Sequence, residues 1–413
     1  MPRYQIFNSL QAFCSSLAGL IASRATLEGF GVGKASASAT DALLLTVLQD
    51  VFGRLSTIAG GYYLGTSLYP EAKTYRLLAD VLFEASTVLN TLSPLLATVH
   101  LPIAALCLSA AMGALCGVSA GGSKSALTLH FASPMGGKGD VGEISAKDGS
   151  KETVLSLLGM LLGSLIVPHL HSKWSTYSVL FLMIAGHFAF NYKGVRGVAL
   201  RSLNKQRTGI TWTSYRSRAF GLRDNKSKPH LSPEWVASRE RIFQRAGTLR
   251  DALSDEILGH CIIGTSLTSL LSTSGPAFHE NFKDTIACFK DERYILFFDP
   301  SYIESPKGLP LLHICLKTRC KPQDQLKGWV HALELARTCA TATTGGHASL
   351  ISASYRGLDD AFGLFIQHMR NMGWDVKEGA LMSGAPGAVL LSVSSIEVES
   401  GDDEDGLESK KDI

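Results

Sequence analysis

Residues 101–118 read LPIAALCLSAAMGALCGV and contain no Asp, Glu, Lys or Arg. Two further apolar runs follow, TVLSLLGMLLGSLIVPHL at residues 153–170 and TYSVLFLMIAGHFAFNY at residues 176–192. A helix needs about 20 mostly apolar residues to cross the hydrocarbon core of a bilayer. Three such runs so close together are unusual in a soluble protein. They predict membrane-spanning helices, each completed by the residues that flank the run.

Three weaker segments precede these runs. Residues 8–25 are amphipathic and rich in small residues, whereas residues 42–64 and 77–99 are apolar but contain charged side chains. Such segments either span the bilayer with their charges facing a bundle interior, or lie at the membrane surface. We expect the second and third segments to span.

The charged residues of these two segments form a candidate intramembrane polar site: Asp50, Arg54, Asp80 and Glu84. Residues four apart share a helix face, so Asp50 can pair with Arg54. An ionisable side chain within a bilayer costs roughly 2.5–3.5 kcal/mol on insertion scales, so it persists where it is paired, hydrated or needed. One interpretation is that Arg54 meets Asp80 or Glu84 along a path for a proton, ion or small anion. The alternatives are structural ion pairing and helices outside the hydrocarbon.

Residues 119–152 are predicted as a Gly-rich loop between two spans, on the same side as the basic residues after Tyr192. Positive charge concentrates on the cytoplasmic side of membrane proteins, so both segments are placed there in an integral membrane protein. Basic side chains near a membrane surface bind anionic lipid head groups, with about 1 kcal/mol from each. The candidate head-group or anion contacts are Lys124, Lys193, Arg196 and Arg201.

Two glycines of the second run, Gly159 and Gly163, form a G-x-x-x-G pattern, which predicts close helix packing and only weakly a dimer. The eight cysteines are scattered without a C-x-x-C pair, so neither a disulfide framework nor a metal site is predicted. The string GFGVGKASASAT at residues 29–40 misses the phosphate-loop pattern, because Ala35 stands where Ser or Thr is needed. No cofactor and no catalytic residue is predicted.

The chain is therefore predicted to be mainly α, with a polytopic membrane domain, a small soluble α+β domain and a disordered acidic tail. The boundaries are residues 1–200 for the helical membrane domain, 201–233 for a basic linker, 234–396 for the α+β domain and 397–413 for the tail. The α+β domain is predicted to contain helices at 234–246, 323–338 and 358–372, and strands at 293–298, 311–317 and 388–393.

Several strings resemble the Root UVB-sensitive family, also called the domain-of-unknown-function 647 family. They are YQIFNSLQAFCSSLAGLIASRATLEGFGVG (4–33), AKTYRLLADVL (72–82), AGGSKSALTLHFA (120–132), DVGEISAKDGSKETVLSLLG (140–159) and NYKGVRGVAL (191–200). The resemblance implies a eukaryotic membrane-associated protein. In plants the family is tied to ultraviolet-B sensitivity and vitamin B6 homeostasis, with members acting as partners. It brings no established catalytic activity, so no catalytic residue is carried over.

Three functions are left open by the sequence, and the absence of a complete catalytic motif favours the first. The first is a membrane scaffold, not an enzyme, whose partners are membrane lipid and a second copy or a related family member. The second is a transporter or channel for a small solute or ion, and the third is a membrane-bound enzyme. A net charge of +3 is too small to indicate nucleic acid as a partner.

Overall fold

The computed structural model describes residues 2–29, 39–65, 67–96, 101–133, 139–219, 231–273, 276–298, 309–341, 347–379 and 381–382. Within those ranges, a bundle of long helices is followed by a smaller unit of helices and strands. The predicted strand at residues 388–393 and the predicted acidic tail lie outside the described residues.

The bundle, over the described residues, consists of α1 (Pro2–Gly29), α2 (Ala39–Leu64), α3 (Ala72–Leu92), α4 (Pro102–Ala132), α5 (Val141–Ile166) and α6 (Lys173–Arg196). The shortest of these, α3, has 21 residues. Each helix is therefore long enough to cross a bilayer core of about 30 Å. Four are also apolar enough: Arg3–Leu27, Thr40–Leu64, Pro102–Ala132 and Val141–His169.

These four helices include two of the three strongest predicted spans, residues 101–118 and 153–170. They also include two weaker segments, at residues 8–25 and 42–64. Residues 176–192 are helical within α6, but α6 and α3 are not among the four. Both helices carry polar side chains on the face that they turn towards the bundle interior.

Successive helices of the bundle run in opposite directions. Glu84 of α3 faces His187 of α6, whereas Asp80, one turn earlier on α3, faces Asn191, one turn later on α6. The two helices are thus antiparallel. By contrast, α1 and α5, which are four helices apart in the chain, are parallel and in close contact. This alternation is what a chain that passes back and forth through one layer requires.

The prediction of a Gly-rich loop at residues 119–152 is wrong, because helices occupy most of this range. α4 continues to Ala132 and α5 begins at Val141, after the N-cap Asp140. Glycine inside a helix costs only about 1 kcal/mol relative to alanine, and close packing offsets that cost. A Cβ atom at Gly122 would overlap the side chain of Leu68, so this glycine permits a close contact.

The C-terminal unit packs α7 (Lys205–Ala219), α8 (Pro233–Ala237), α9 (Leu267–Thr273), α10 (Pro276–Cys288), α11 (Pro322–Thr341) and α12 (His347–Asn371) around a sheet. Its strands are β1 (Thr248–Arg250), β2 (Ile257–Ile263), β3 (Tyr294–Phe298) and β4 (Leu311–Leu316). The strand order is β1-β2-β4-β3, with β2 and β4 parallel and the other pairs antiparallel. β3, β4, α11 and α12 confirm predicted elements, whereas β1 and β2 were not predicted.

Two predictions for this unit are wrong. Residues 201–233, predicted as a basic linker, contain α7, whose Trp212 is buried and stands edge-on to Phe365 of α12 with ring centroids 5.1 Å apart. Of the helix predicted at residues 234–246, only the short α8 forms. The positive charges of α7 led to the prediction of a linker. Some of these cations pair with acids that are distant in sequence, so the helix packs its apolar residues inside the unit.

Candidate functional site

α3 carries a stripe of ionisable residues on one face. Arg76, Asp80 and Glu84 are each one turn apart, so their side chains lie in a row along the helix. All three are buried, with exposed fractions of 5%, 4% and 3%. Buried ionisable side chains need partners, because desolvating an unpaired charge is expensive. Neighbouring helices supply those partners.

His187 and Asn191 of α6 meet the two carboxylates of α3. His187 Nε2 lies 3.2 Å from Oδ1 of Asp80, and His187 Nδ1 lies 2.5 Å from Oε1 of Glu84. Asn191 donates a hydrogen bond from Nδ2 to Oδ2 of Asp80. We refer to Asp80, Glu84, His187 and Asn191 as the carboxylate–histidine cluster. Protonation of its histidine raises the net charge of the cluster by one.

A second set of polar contacts extends from Arg76 to the outside of the bundle. Arg76 donates from Nη2 to Oδ1 of Asn8 on α1, at 2.9 Å. Asn8 in turn donates from Nδ2 to Oε2 of Glu152 on α5, at 3.4 Å. Glu152 forms an ion pair with Lys124 of α4, with Nζ 2.5 Å from Oε2. The Lys124 and Glu152 side chains are 31% and 29% exposed, so this polar chain reaches the surface.

Several buried polar atoms beside these contacts have no hydrogen-bond partner among the described residues. They include Oη of Tyr4, Nε of Arg76, Oε2 of Glu84, Oδ1 of Asp148 and Oδ1 of Asn191. Most buried polar groups in proteins are paired, with protein or with ordered water. The bundle interior therefore has unused donors and acceptors that water or a small polar solute can satisfy.

The arrangement can hold and transfer a proton. A histidine between two carboxylates has a protonated and a neutral state, and the two states change the net charge of the cluster by one. Asp, Glu and His side chains inside membrane helices mark proton and ion pathways in transport proteins. Within the described ranges, no group of three or more His, Cys, Asp or Glu side chains is placed to hold a metal ion.

The structure separates the predicted polar site into two parts. Asp80 and Glu84 lie in the cluster, but Asp50 and Arg54 are exposed on α2. α2 packs along α4, so Arg54 is not the partner of the α3 carboxylates. Among the described residues, no ion pair joins Asp50 to Arg54. The sequence indicated a packed or interfacial histidine at His187 and did not connect it with these carboxylates, although it stands one turn before Asn191 in an otherwise apolar run.

The candidate head-group contacts lie in different environments. Lys193 is exposed at the end of α6, whereas Lys124 is paired with Glu152 as described above. Arg196 donates from Nη2 to the carbonyl oxygen of Ser238 at 3.1 Å, which joins α6 to the C-terminal unit. Arg201 lines a cavity of about 130 Å³ at the same junction. Contact of these residues with lipid head groups stays a prediction.

Gly159 and Gly163 of α5 face α1. An ideal Cβ at Gly159 would lie 2.6 Å from the carbonyl oxygen of Phe13, and one at Gly163 would lie 2.6 Å from Cδ1 of Leu20. The G-x-x-x-G pattern thus lies at a contact between two helices of one chain. This contact supports the packing that brings Asn8 of α1 next to Glu152 of α5.

Comparison with known proteins agrees with the sequence resemblance. A family model described as "Vitamin B6 photo-protection and homoeostasis domain" matches residues 2–219. Protein root UVB sensitive 3 of Arabidopsis thaliana is 28% identical over 381 residues, which are 90% of this chain and 78% of that protein. RUS family member 1 of Dictyostelium discoideum is 34% identical over 213 residues, which are 51% of this chain and 39% of that protein.

A third relative, protein root UVB sensitive 2, chloroplastic, of Arabidopsis thaliana, is 24% identical over 379 residues, or 90% of this chain and 77% of that protein. No solved structure matches the chain. The family model extends from the start of α1 to the end of α7, and so includes both polar networks of the bundle. Because that match covers more than half of the sequence, the chain belongs to the root UVB-sensitive family.

Proposed function

We propose that this chain is a multi-pass membrane protein that transports a small polar solute or ion, with the carboxylate–histidine cluster at its transport site. Four helices have the length and apolar composition of membrane spans. The antiparallel order of successive helices supports a chain that crosses the bilayer repeatedly. On this proposal, α3 and α6 are interior helices, whose polar faces turn away from lipid.

The single observation that carries the proposal is His187 between Asp80 and Glu84. Anchoring a partner to a membrane does not by itself require a histidine between two buried carboxylates. Here two carboxylates and an imidazole are 5% exposed or less, within helices packed against apolar neighbours. Such a group is expensive to keep in a bilayer, and a transport path is one function that accounts for its retention.

We further propose that the C-terminal unit lies on the cytoplasmic side. α6 ends next to this unit, and Arg196 in its last turn contacts Ser238. Lys193 is exposed in the same turn. The positive-inside tendency favours this end of the bundle as the cytoplasmic one.

The description of the matching family domain suggests which solutes to test first. It concerns vitamin B6 photo-protection and homoeostasis, so pyridoxal, pyridoxine and pyridoxal phosphate are the first candidates. Protons form a separate candidate, because the cluster contains titratable groups. We propose no chemical conversion of the solute by this chain.

Flux into proteoliposomes tests the proposal. We expect Asp80→Asn and His187→Gln to reduce uptake to the rate of empty liposomes. Asp50→Asn makes the same chemical change on the exposed face of α2, and we expect it to leave uptake intact. Gel filtration and thermal unfolding of each variant establish that it is folded. Wild-type uptake by folded Asp80→Asn and His187→Gln proteins would refute the transport site.

A scaffold function is the second candidate, and α2 is the observation that favours it. Leu55, Ile58 and Tyr62 on this helix are 60%, 70% and 80% exposed. Lipid or a related family member can cover this apolar surface. Co-purification with a second family member that is lost in Ile58→Gln, with solute flux unchanged, would favour the scaffold.

A further inference from the structure

The segment between α8 and β1 presents a row of exposed side chains at the junction of the bundle and the C-terminal unit. Residues 239–245 read RERIFQR. Every second side chain is exposed, and we call these four residues the basic strip: Arg239, Arg241, Phe243 and Arg245. Between them, Glu240 and Ile242 are buried. The segment thus has one face turned into the protein and one face available to a partner.

The buried side chains fix this segment across the end of the bundle. Glu240 pairs with Lys73 in the first turn of α3. Ile242 lies in an apolar cluster with Leu77 of α3 and Val195 of α6. The start of α3 lies beside the end of α6, because the two helices are antiparallel. The basic strip is therefore held at the end of the bundle where α6 leads to the C-terminal unit.

The surface around the strip is positively charged even after its acids are counted. Five basic side chains lie on the strip or at the adjoining end of α6: Lys193, Arg196, Arg239, Arg241 and Arg245. Of these five, only Arg241 pairs with an acid among the described residues, with Nη2 2.5 Å from Oδ2 of Asp255. The other exposed acids near the strip in sequence are Glu234 and Glu256. Five cations against three acids leave two positive charges, which favour an anionic partner.

Aromatic side chains accompany these cations. Phe243 is 64% exposed within the strip, and Tyr192 is 44% exposed near the end of α6. Arg196 donates from Nη1 to Oη of Tyr192 at 3.0 Å. The guanidinium of Arg239 lies 3.7 Å from the ring centroid of Trp235. Basic side chains mixed with exposed aromatic rings are typical of segments that lie at a membrane–water interface. A soluble polyanion would pair with the arginines but would leave the ring of Phe243 in water.

We propose that the basic strip binds the anionic head groups of the bilayer that holds the bundle, with the ring of Phe243 inserted between the lipids. This inference rests on the membrane spans proposed above and adds a lipid contact made by the C-terminal unit. An anionic leaflet attracts basic side chains within a Debye length, which is about 8 Å at physiological salt. The contact fixes the C-terminal unit against the membrane surface at the end of α6.

Hydrogen exchange of the full chain in nanodiscs tests the proposal at the segment itself. One set of discs contains phosphatidylcholine alone, and the other contains phosphatidylcholine with phosphatidylserine. We expect residues 239–245 to exchange about tenfold more slowly with phosphatidylserine, because a bound partner opposes local opening. The difference should shrink at high salt, which screens the attraction between the strip and the head groups.

Native mass spectrometry of the full chain, titrated with either lipid, gives the Kd of the bound lipid. Arg239→Gln/Arg245→Gln removes two exposed cations, and we expect the Kd for phosphatidylserine to rise about thirtyfold with that for phosphatidylcholine unchanged. Both side chains are exposed, so this variant should fold. Arg319→Gln/Arg356→Gln is the matched control, because it removes two exposed arginines after β4 and on α12. It should leave both Kd values within about twofold of wild type, as expected for screened surface charges.

Phe243→Ser tests the inserted ring separately from the charges. We expect it to weaken binding of both lipids, because burial of an aromatic ring does not depend on the charge of the head group. Equal exchange of residues 239–245 in the two kinds of disc, or equal weakening in the control variant, would overturn the proposal. Release of the chain from vesicles by alkaline carbonate would refute the membrane spans and both proposals with them. A chain that stays in the vesicles without a preference for phosphatidylserine would refute the basic strip alone.

Discussion

Replacing Gly159 with alanine should destabilise the helix bundle. The added methyl group would lie 2.6 Å from the carbonyl oxygen of Phe13 and 3.2 Å from Cβ of Ser16. Atoms of α1 backbone cannot rotate away as the end of a side chain can. The overlap is therefore relieved only if α1 and α5 move apart, and this would strain the contact between Asn8 and Glu152.

The expected effect follows from two opposing contributions. An extra methyl group in a well-packed contact costs about 1–3 kcal/mol. Alanine in place of glycine favours the helix by up to about 1 kcal/mol. Gly149→Ala provides the matched control, because Gly149 lies on the same helix and a Cβ there meets nothing within 4 Å. The difference between the two variants isolates the overlap, which we place at about 1–3 kcal/mol.

Thermal unfolding of the full chain in detergent measures this difference. We expect a lower Tm for Gly159→Ala than for Gly149→Ala. A smaller loss is expected for Gly163→Ala, because the atom that it meets is the terminal Cδ1 of Leu20. Equal Tm values for Gly159→Ala and Gly149→Ala would refute the close contact with α1. A loss of dimer at unchanged Tm would instead place the G-x-x-x-G pattern between two chains.

Two further predictions concern the C-terminal unit and its junction with the bundle. Glu240→Gln should destabilise the protein by about 3–5 kcal/mol in urea unfolding, because Glu240 pairs with both Lys73 and Arg207 in a buried contact; wild-type stability would contradict this. Burial lowers the pKa of His331 from 6.5 to about 3. On acidification, this histidine therefore binds a proton in the unfolded chain at a higher pH than in the folded protein. The free energy of unfolding should fall by about 1.4 kcal/mol per pH unit as the pH drops below 6.5. The fall should be less steep in His331→Gln, whereas the control His171→Gln, which changes an exposed histidine, should fall as steeply as wild type.

The sequence predicted secondary structure well where one pattern dominated. The strand at β3 was evident because YILFF is continuously apolar, and all five of its residues are buried. β2 reads ILGHCII, and its Gly259 and His260 interrupt the apolar pattern. A Cβ at Gly259 would lie 2.8 Å from the carbonyl oxygen of Pro310, so this glycine serves a close approach between chain segments. Local pattern does not reveal such an approach.

Only the carboxylates of the candidate site were predictable from the sequence, because their partners depend on how distant segments of the chain pack. Charge within an apolar segment drew attention to Asp80 and Glu84 without any knowledge of the fold. Their partners depend on which helices are neighbours, and α3 lies against α6 and α1 although α2 precedes it in the chain. Arg54 was a reasonable partner by sequence distance, but the packing of α2 along α4 leaves it outside.

The ionisable stripe of α3 also explains why this helix is not among the four that are apolar enough to span a membrane. Lys73 pairs with Glu240 of the C-terminal unit, Arg76 with α1, and Asp80 and Glu84 with α6. The charges that lower the hydropathy of α3 thus contact three different structural elements. An apolar helix in this position would pack against the same neighbours but would lack contacts that fix its rotation and depth. The polar residues therefore orient the helix that links the C-terminal unit to the bundle interior, and the same orientation places two carboxylates against one histidine.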